Sequence, residues 1–575
     1  MDLFRLQQLA AKNSDPSDCF DTEEAFGDGM FQIRFLVLTS VAVLLMTCIA
    51  DVVPVISSQD VDHWCKPPSY SNISYSVWKY AIPVGADGQR SRCHVFNRPY
   101  GSIGSKEVTA CHEWDFDKRN APASVISAWS AVCDQRARQL LVPMASQQVG
   151  SFLFLLLAAV PLDMFGRVRV LKAAALTTVV SAPVGLAVSH HCVRYAWAQV
   201  LLSGCVAVCA AAAMLVAFEV LVHRRRPKCL IYATALSCVL AELWILVVRN
   251  MSVFWETKHV ALLLPAFLVV TAATFMGEQE SPRWLIARDV VGKAERVILA
   301  AGETNYFVLE AGLADFFDKL KYRACSIANH GDRSAAATIS SRQSSSLDAA
   351  RLIRRRALLM FFVQFSLAYA VHLNTVFWVA RGEHDSGVTW WLPAILVYFV
   401  SLLGNVVALL AVARMSLESA LVALTAVVTG VHCVASYFFG FYTAADRGLL
   451  AFSGGLANVA IVVGSCYVME DVPTPVRGVA LCWSLASGRV GALLACVMPL
   501  LLKIDDIYWA FAVSSLFLGA SLVMAWRNMS PLRSEEVVGE RNLGSALKTD
   551  VSSLRASLSP SRRSLCDDSV RGEST

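Results

Sequence analysis

Two charged side chains lie deep inside otherwise apolar runs. Arg489 sits midway along 478–502, in Ser487-Gly488-Arg489-Val490-Gly491, and Glu242 lies within 229–249. A charge at the centre of a bilayer costs about 2.5–3.5 kcal/mol or more, so each is a functional-site candidate. A guanidinium presents planar donors that engage two oxygens of a carboxylate or sulfate at once. Glu242 has three readings: a buried ion-pair partner of Arg489 that a bound anion partly displaces, a site for a proton or for the cationic end of a zwitterion, or a carboxylate reaching water near a helix end. A third group is polar and aromatic. Gln364, Phe365, Tyr369 and His372 fall near one helical face by i, i+4 and i, i+3 steps, with Asn374 just beyond. That face suits either a binding surface or helix packing.

Charges also recur at matching places. Glu219 is followed seven residues later by Arg226, and Glu470 seven residues later by Arg477. An acid at a helix end with an arginine beyond it can form a clamp that holds one conformation and opens in another. No His, Cys and carboxylate cluster has metal-ligand spacing. There is no nucleophile elbow and no phosphate-binding glycine loop. Metal, cofactor, ATP-driven and membrane-enzyme chemistry therefore find no support.

The elements that must position these groups follow from composition. Of 575 residues, 56% are hydrophobic and 17% charged, where soluble domains run about 45–50% and about 25%. Mean hydropathy is +0.51. The chain reads as an integral membrane protein in contact with the lipid bilayer, and a net charge of +5 nominates no nucleic acid. A crossing helix needs about 20 mostly apolar residues. Twelve runs qualify: 33–56, 140–162, 170–189, 195–221, 229–249, 259–277, 357–380, 389–413, 419–442, 449–469, 478–502 and 507–527. The expected fold is all-α, twelve transmembrane helices in two six-helix halves at 33–277 and 357–527. The remaining parts are an N-terminal segment 1–32, a polar centre 278–356 and a tail 528–575. The first 32 residues hold no stretch suited to a cleaved signal peptide.

Lysine and arginine set the orientation. Arg167 and Arg169, the run His223-Arg224-Arg225-Arg226-Pro227-Lys228, and the central interval up to Arg354-Arg355-Arg356 are basic, whereas the alternate connections hold about one basic residue each (Arg381, Arg447, Lys503). Both termini are expected in the cytoplasm and 57–139 outside. That outer loop carries Cys65, Cys93, Cys111 and Cys133, whose three connectivities stay open, and the glycosylation sequon at Asn72. The tail and 329–350 read as disordered, with Arg562-Arg563-Ser564 a site for cytoplasmic kinases or scaffolds.

The motifs resemble one family in order along the chain. Glu280-Ser281-Pro282-Arg283-Trp284-Leu285 is similar to the signature of the organic ion transporters, solute carrier family 22 of the major facilitator superfamily. The resemblance takes in Gly27-x-Gly29-x-Phe31-Gln32, His63-Trp64-Cys65-Lys66-Pro67, Cys111-x-x-Trp114-Asp115-x-Asp117, Trp129-x-x-Val132-Cys133-Asp134, Asp163-x-x-Gly166-Arg167, Gly292-Lys293-Ala294-Glu295 with Asn305, and Glu470-x-x-Pro473-Thr474-Pro475-x-Arg477-Gly478. It implies the major facilitator fold at the plasma membrane, a small organic ion bound between the halves, and a cytoplasmic gate built from Asp163, Gly166, Arg167, Glu219, Arg226, Glu280, Arg283, Glu470 and Arg477. It implies a polyspecific cavity lined by aromatic faces such as that of Phe365 and Tyr369. Arg489 resembles the arginine of the anion and carnitine branches, and Trp391 stands where the family tends to carry an acid. The expected function is transport of an organic anion or zwitterion by alternating access, as exchange or facilitated diffusion. An organic cation carrier using Glu242 is one alternative, and a non-transporting surface receptor or scaffold another. Two departures motivate the latter: Leu156-Leu157-Ala158-Ala159-Val160-Pro161 replaces a glycine run, predicting wider spacing of helices two and eleven, and the second-half copy of the Asp-Gly-Arg loop shrinks to Arg414-Met415-Ser416.

Overall fold

A computed structural model describes residues 26–58, 61–67, 78–84, 90–96, 107–117, 124–222, 225–251, 253–275, 279–288, 290–307, 358–377, 379, 391–438, 444–472, 474–501 and 508–529. Twelve long apolar helices dominate, as expected for a multi-pass membrane protein. They are α1 (Met30–Ala50), α2 (Gln135–Phe165), α3 (Arg167–Ala187), α4 (Cys192–Val220), α5 (Arg226–Asn250) and α6 (Trp255–Phe275) in the first half. The second half holds α7 (Leu358–Phe377), α8 (Trp391–Arg414), α9 (Leu417–Phe438), α10 (Ala444–Asp471), α11 (Arg477–Leu501) and α12 (Tyr508–Met529). Span one is broken at Asp51, beyond which a short helix Val52–Ile56 continues.

The halves repeat one packing plan. In the first, α2 packs on α4 and α3 on α6; in the second, α8 packs on α10 and α9 on α12. The halves join along two seams, α2 against α11 and α5 against α8. The most enclosed helix is α4, whose residues from Leu202 to Val222 are all buried. Its stretch 204–213, of Gly, Cys and Ala with Val206 and Val208, leaves little side chain between it and α1, α2 and α3. Small residues let backbones approach in lipid, where helix association rests on close packing. A methyl group at Gly491 would strike the Phe365 carbonyl oxygen, so α7 and α11 also meet backbone to backbone.

The expected spreading of helices two and eleven does not occur. These two helices form one of the most extensive contacts in the molecule. The bulk is turned away in part: Leu157 is 70% exposed and Leu156 half-buried, whereas Ala158 and Ala159 are buried. Substituting large residues for glycine costs no separation when their side chains face lipid.

Between α1 and α2 the chain forms two small antiparallel ribbons. β1 (His63–Cys65) pairs with β4 (Trp114–Phe116), with Trp64 opposite Asp115, and β2 (His94–Phe96) pairs with β3 (Val108–Ala110). Cys65 bonds Cys111 and Cys93 bonds Cys133, settling one of three connectivities. The Trp78 indole N–H donates to the Cys65 carbonyl at 2.8 Å. The Trp129 indole donates to the Ser189 carbonyl at 2.7 Å, fixing the start of α2 against the turn after α3. Asn72, the stretch 329–350 and the tail with Arg562-Arg563-Ser564 lie outside the described residues.

The opening motif has a structural task. Asn305, ending a helix Val291–Asn305, accepts from the Phe31 N–H at 2.9 Å through Oδ1. Its Nδ2 donates to the Phe26 carbonyl at 2.9 Å and to the Gln32 Oε1 at 3.0 Å. Residues almost 280 apart thus tie the first span to the segment after α6.

Candidate functional site

At one end of the bundle a buried ionic clamp joins the halves. Asp163, in the last turn of α2, accepts from the N–H groups of Gly478 and Val479 at 3.1 and 2.9 Å. Its carboxylate caps the start of α11, where a helix leaves donors unpaired and carries partial positive charge. The contact needs Gly478, because a Cβ there would stand 2.6 Å from Asp163 Oδ1. Arg167 is fully buried and pairs with Asp163 and Glu219, both at 3.1 Å, while donating to the Thr474 carbonyl at 2.9 Å. Gly166 makes the corner between α2 and α3 with φ +105°, a left-handed conformation that favours glycine.

The acid-arginine pairs read from the sequence merge into one cluster shared between the halves. Glu219 of α4 meets Arg477 of α11 at 3.6 Å and is also an electrostatic neighbour of the Arg226 seven residues on. Glu470 of the second half has both Arg226 and Arg477 as electrostatic neighbours. Phe218 lies between the two arginines, with guanidinium carbons 4.9 Å (Arg226) and 5.6 Å (Arg477) from its ring centre. Ring faces attract such cations by about 0.5–2 kcal/mol. Arg283 is buried next to this cluster and interacts electrostatically with Arg226.

Glu280 plays on α3 the part Asp163 plays on α11. It accepts from the N–H groups of Arg167 and Val168 at 3.0 and 3.1 Å, and the Trp284 indole donates to the Asp163 carbonyl at 2.9 Å. Burial pushes the Glu280 carboxyl above the ordinary glutamate range, against the pull of the Val168 and Ser281 N–H groups and Arg167. The folded state therefore holds that proton more tightly than the unfolded chain. Its contribution to stability falls as pH rises from the ordinary glutamate pKa through the folded one. Glu280→Gln should flatten the pH dependence of thermal unfolding across that window; parallel wild-type and variant curves would count against it.

At mid-depth, Arg489 of α11 crosses the seam to the first half. It donates to the Gln148 Oε1 of α2 at 3.4 Å and lies 3.2 Å from the Met46 sulfur of α1. His372 of α7 is its electrostatic neighbour. Among the described residues no carboxylate stands within 4.0 Å of Arg489, so the guanidinium is matched only by a neutral amide and a thioether. Neither Gln148 nor Met46 was singled out from the sequence, since each is ordinary in an apolar helix.

Glu242 is not paired with Arg489. Its Oε1 accepts from the Ser401 hydroxyl of α8 at 3.0 Å, in the second seam. The α7 face is largely spent on packing within the second half. Gln364 donates to the Ile461 carbonyl at 2.7 Å and to Ser465, both on α10, and is buried. Phe365 stands 5.3 Å from the Phe517 ring of α12, and the Tyr369 hydroxyl donates to the Ala510 carbonyl at 3.2 Å. His372 Nδ1 bonds the Ala368 carbonyl at 3.0 Å within its own helix. Asn374, two residues further along α7, is half-buried.

Together these features define a two-lobed helical membrane protein with a charged clamp at one end and an unmatched arginine between the lobes. The major facilitator fold is confirmed by solved structures. The proton:xylose symporter XylE bound to 6-bromo-6-deoxy-D-glucose superimposes with a TM-score of 0.56 at 14% identity, covering 86% of this chain and 95% of that one. The partially occluded inward-open form of XylE from E. coli gives 0.52 at 13% identity, covering 86% and 97%. At these identities the likeness is one of fold. Among curated proteins the chain is 28% identical to solute carrier family 22 member 6 of Rattus norvegicus over 172 residues, 27% of this chain and 30% of that protein. The Oryctolagus cuniculus protein of the same name is 28% identical over 169 residues, again 27% and 30%. The chain thus spans under a third of the length of the curated relatives it matches. No family model matches it. The chain is therefore similar over about a quarter of its length to solute carrier family 22 member 6, and similar in fold to the major facilitator protein XylE.

Proposed function

We propose that the protein carries a small organic anion, or the anionic end of a zwitterion, across the plasma membrane by alternating access between its two halves. The observation that carries this reading is Arg489. It sits on the α2–α11 seam with contributions from both lobes and with no carboxylate beside it among the described residues. A guanidinium held between neutral groups in a bilayer is stabilised by an anion that brings its own charge, and its planar donors favour paired oxygens. The clamp of Asp163, Arg167, Glu219, Glu280 and Arg477 supplies the gate. Its members must part for solute to leave at that end, and the basic-residue bias puts that end, with both termini, in the cytoplasm. Exchange and facilitated diffusion both fit.

The test is uptake of labelled monocarboxylates, dicarboxylates, quaternary ammonium ions and carnitine-like zwitterions by cells displaying the protein. Saturable flux of an anion or zwitterion is expected, and Arg489→Ala at equal surface abundance should lose at least about tenfold, one step of 1.4 kcal/mol. Unchanged flux in that variant would remove Arg489 from the binding site. Flux confined to quaternary ammonium ions would shift the reading to cation transport through Glu242. Absence of saturable flux for every class would favour a receptor or scaffold.

A further inference from the structure

The second seam, between α5 and α8, holds a carboxyl group whose surroundings are incomplete. Glu242 is 9% exposed, and its Oε1 accepts from Ser401. Its Oε2 has no hydrogen-bond partner. The neighbouring Asn405 of α8 is fully buried, and its Oδ1 also has none. Two adjacent buried acceptors without a donor are costly, since an unsatisfied buried polar atom loses about 1–3 kcal/mol. Rotating the Asn405 amide does not repair this. Its Nδ2 already donates to the Ser401 carbonyl at 3.2 Å, and exchange would set Oδ1 against that carbonyl. A proton on Oε2 turns that oxygen from an unmet acceptor into a hydroxyl and removes the charge of a buried carboxylate whose side-chain partners, Ser401 and Asn405, are neutral.

The charges around the group agree. From α1 comes Thr47, a neighbour of Cys238 of α5, and from the break just beyond α1 comes Asp51, an acid. From α5 itself come Cys238 and Arg249, and Arg249 acts on Asp51 and on Tyr398 of α8. From α10 comes Gly455, where backbone presses on Ser401 and Asn405 and holds them in place. Among the described residues no lysine, arginine or histidine stands within 4.0 Å of Glu242. The recess beside it, lined by Val239, Leu243, Leu246, Tyr398 and Leu402, has about 10 Å³ of free space. That is room for about one water at most.

We propose that Glu242 is a proton-binding site built into the α5–α8 seam. With the seam closed, the proton rests on Oε2, beside the Asn405 side chain. When α8 draws away from α5, the O–H bond breaks, its electron pair stays on the carboxylate, and the proton passes to water. The release step rests on the alternating-access reading; the protonated state in the closed seam does not.

Infrared spectra of the full-length protein in lipid bilayers test this directly. At neutral pH the wild type should show the carbonyl band of a protonated carboxylic acid that is absent from Glu242→Gln, an isostere of the protonated form. Asn405→Leu should keep the band and shift it to the frequency of a less strongly hydrogen-bonded acid. Equal carboxylic-acid absorption in wild type and Glu242→Gln would overturn the proposal, as would a band in wild type that Asn405→Leu leaves in place. A chain that moves no solute would give the same spectra, so failure of the transport reading is distinguishable from failure here.

Discussion

Replacing Arg167 with alanine should remove about 3–5 kcal/mol of stability, the usual result of leaving buried charge uncompensated. The side chain has no exposure to solvent and engages two carboxylates at 3.1 Å, Asp163 and Glu219. It also bridges to the Thr474 carbonyl in the other half. The truncated protein would keep both acids in a dry place with one cation, Arg477, still 3.6 Å from Glu219. Arg167→Lys restores charge but not the fork that reaches several oxygens, so it should recover only part of the loss. Thermal unfolding of the detergent-purified protein, followed by size-exclusion chromatography, measures this. A melting temperature for Arg167→Ala within error of wild type would show that the clamp does not hold this state. Asp163→Asn, which keeps one acceptor for the α11 N–H groups, should cost less than Arg167→Ala.

Loss of either disulfide in the α1–α2 segment should be nearly as large but confined in space. The bridges Cys65–Cys111 and Cys93–Cys133 span 46 and 40 residues. Closing loops of that length removes chain entropy worth about 4 kcal/mol from the unfolded segment. Among its described residues the segment is held mainly by four strands of three residues and a small cluster of Trp78, Ala81 and Ile82 around the first bridge. Cys65→Ser with Cys111→Ser should therefore leave the twelve helices assembled while the ribbons become protease-sensitive. The second pair should do more, because Cys133 lies two residues before α2. Limited proteolysis with mass spectrometry checks both. Equal protection of the segment in wild type and in the Cys65/Cys111 double variant would show that packing alone maintains it.

The spans were legible because a bilayer demands long apolar runs, and length survives any error at the boundaries. What locally spaced residues could not reveal was pairing at a distance. Glu219 and Arg226, seven residues apart, look like partners, but nothing in that spacing shows that Glu219 also meets Arg477 across the seam. Sequence spacing reports neighbours along one helix, and the clamp forms only when two halves close. The α7 face shows a related limit. Gln364 and Tyr369 have the periodicity of a lining wall, but periodicity cannot say which neighbouring helix the wall will touch, and here α10 and α12 take it. Likewise Leu156-Leu157 replaces glycines without parting α2 from α11, because lipid accepts most of the bulk that a seam would reject.

The clamp draws unequally on its two sides. The first half supplies the side chains of Asp163, Arg167 and Glu219, whereas residues 474–479 answer mainly with main-chain groups: the Thr474 carbonyl and the N–H of Gly478 and Val479. A main-chain group is present whatever the residue type. Inherited variation should therefore fall unevenly: Val479 can change to most residues with the bond intact, while a single-codon change at Asp163 removes it. A saturation library scored for surface abundance would show one face of the same junction as a row of intolerant positions and the opposite face as largely silent, apart from Gly478 and Arg477.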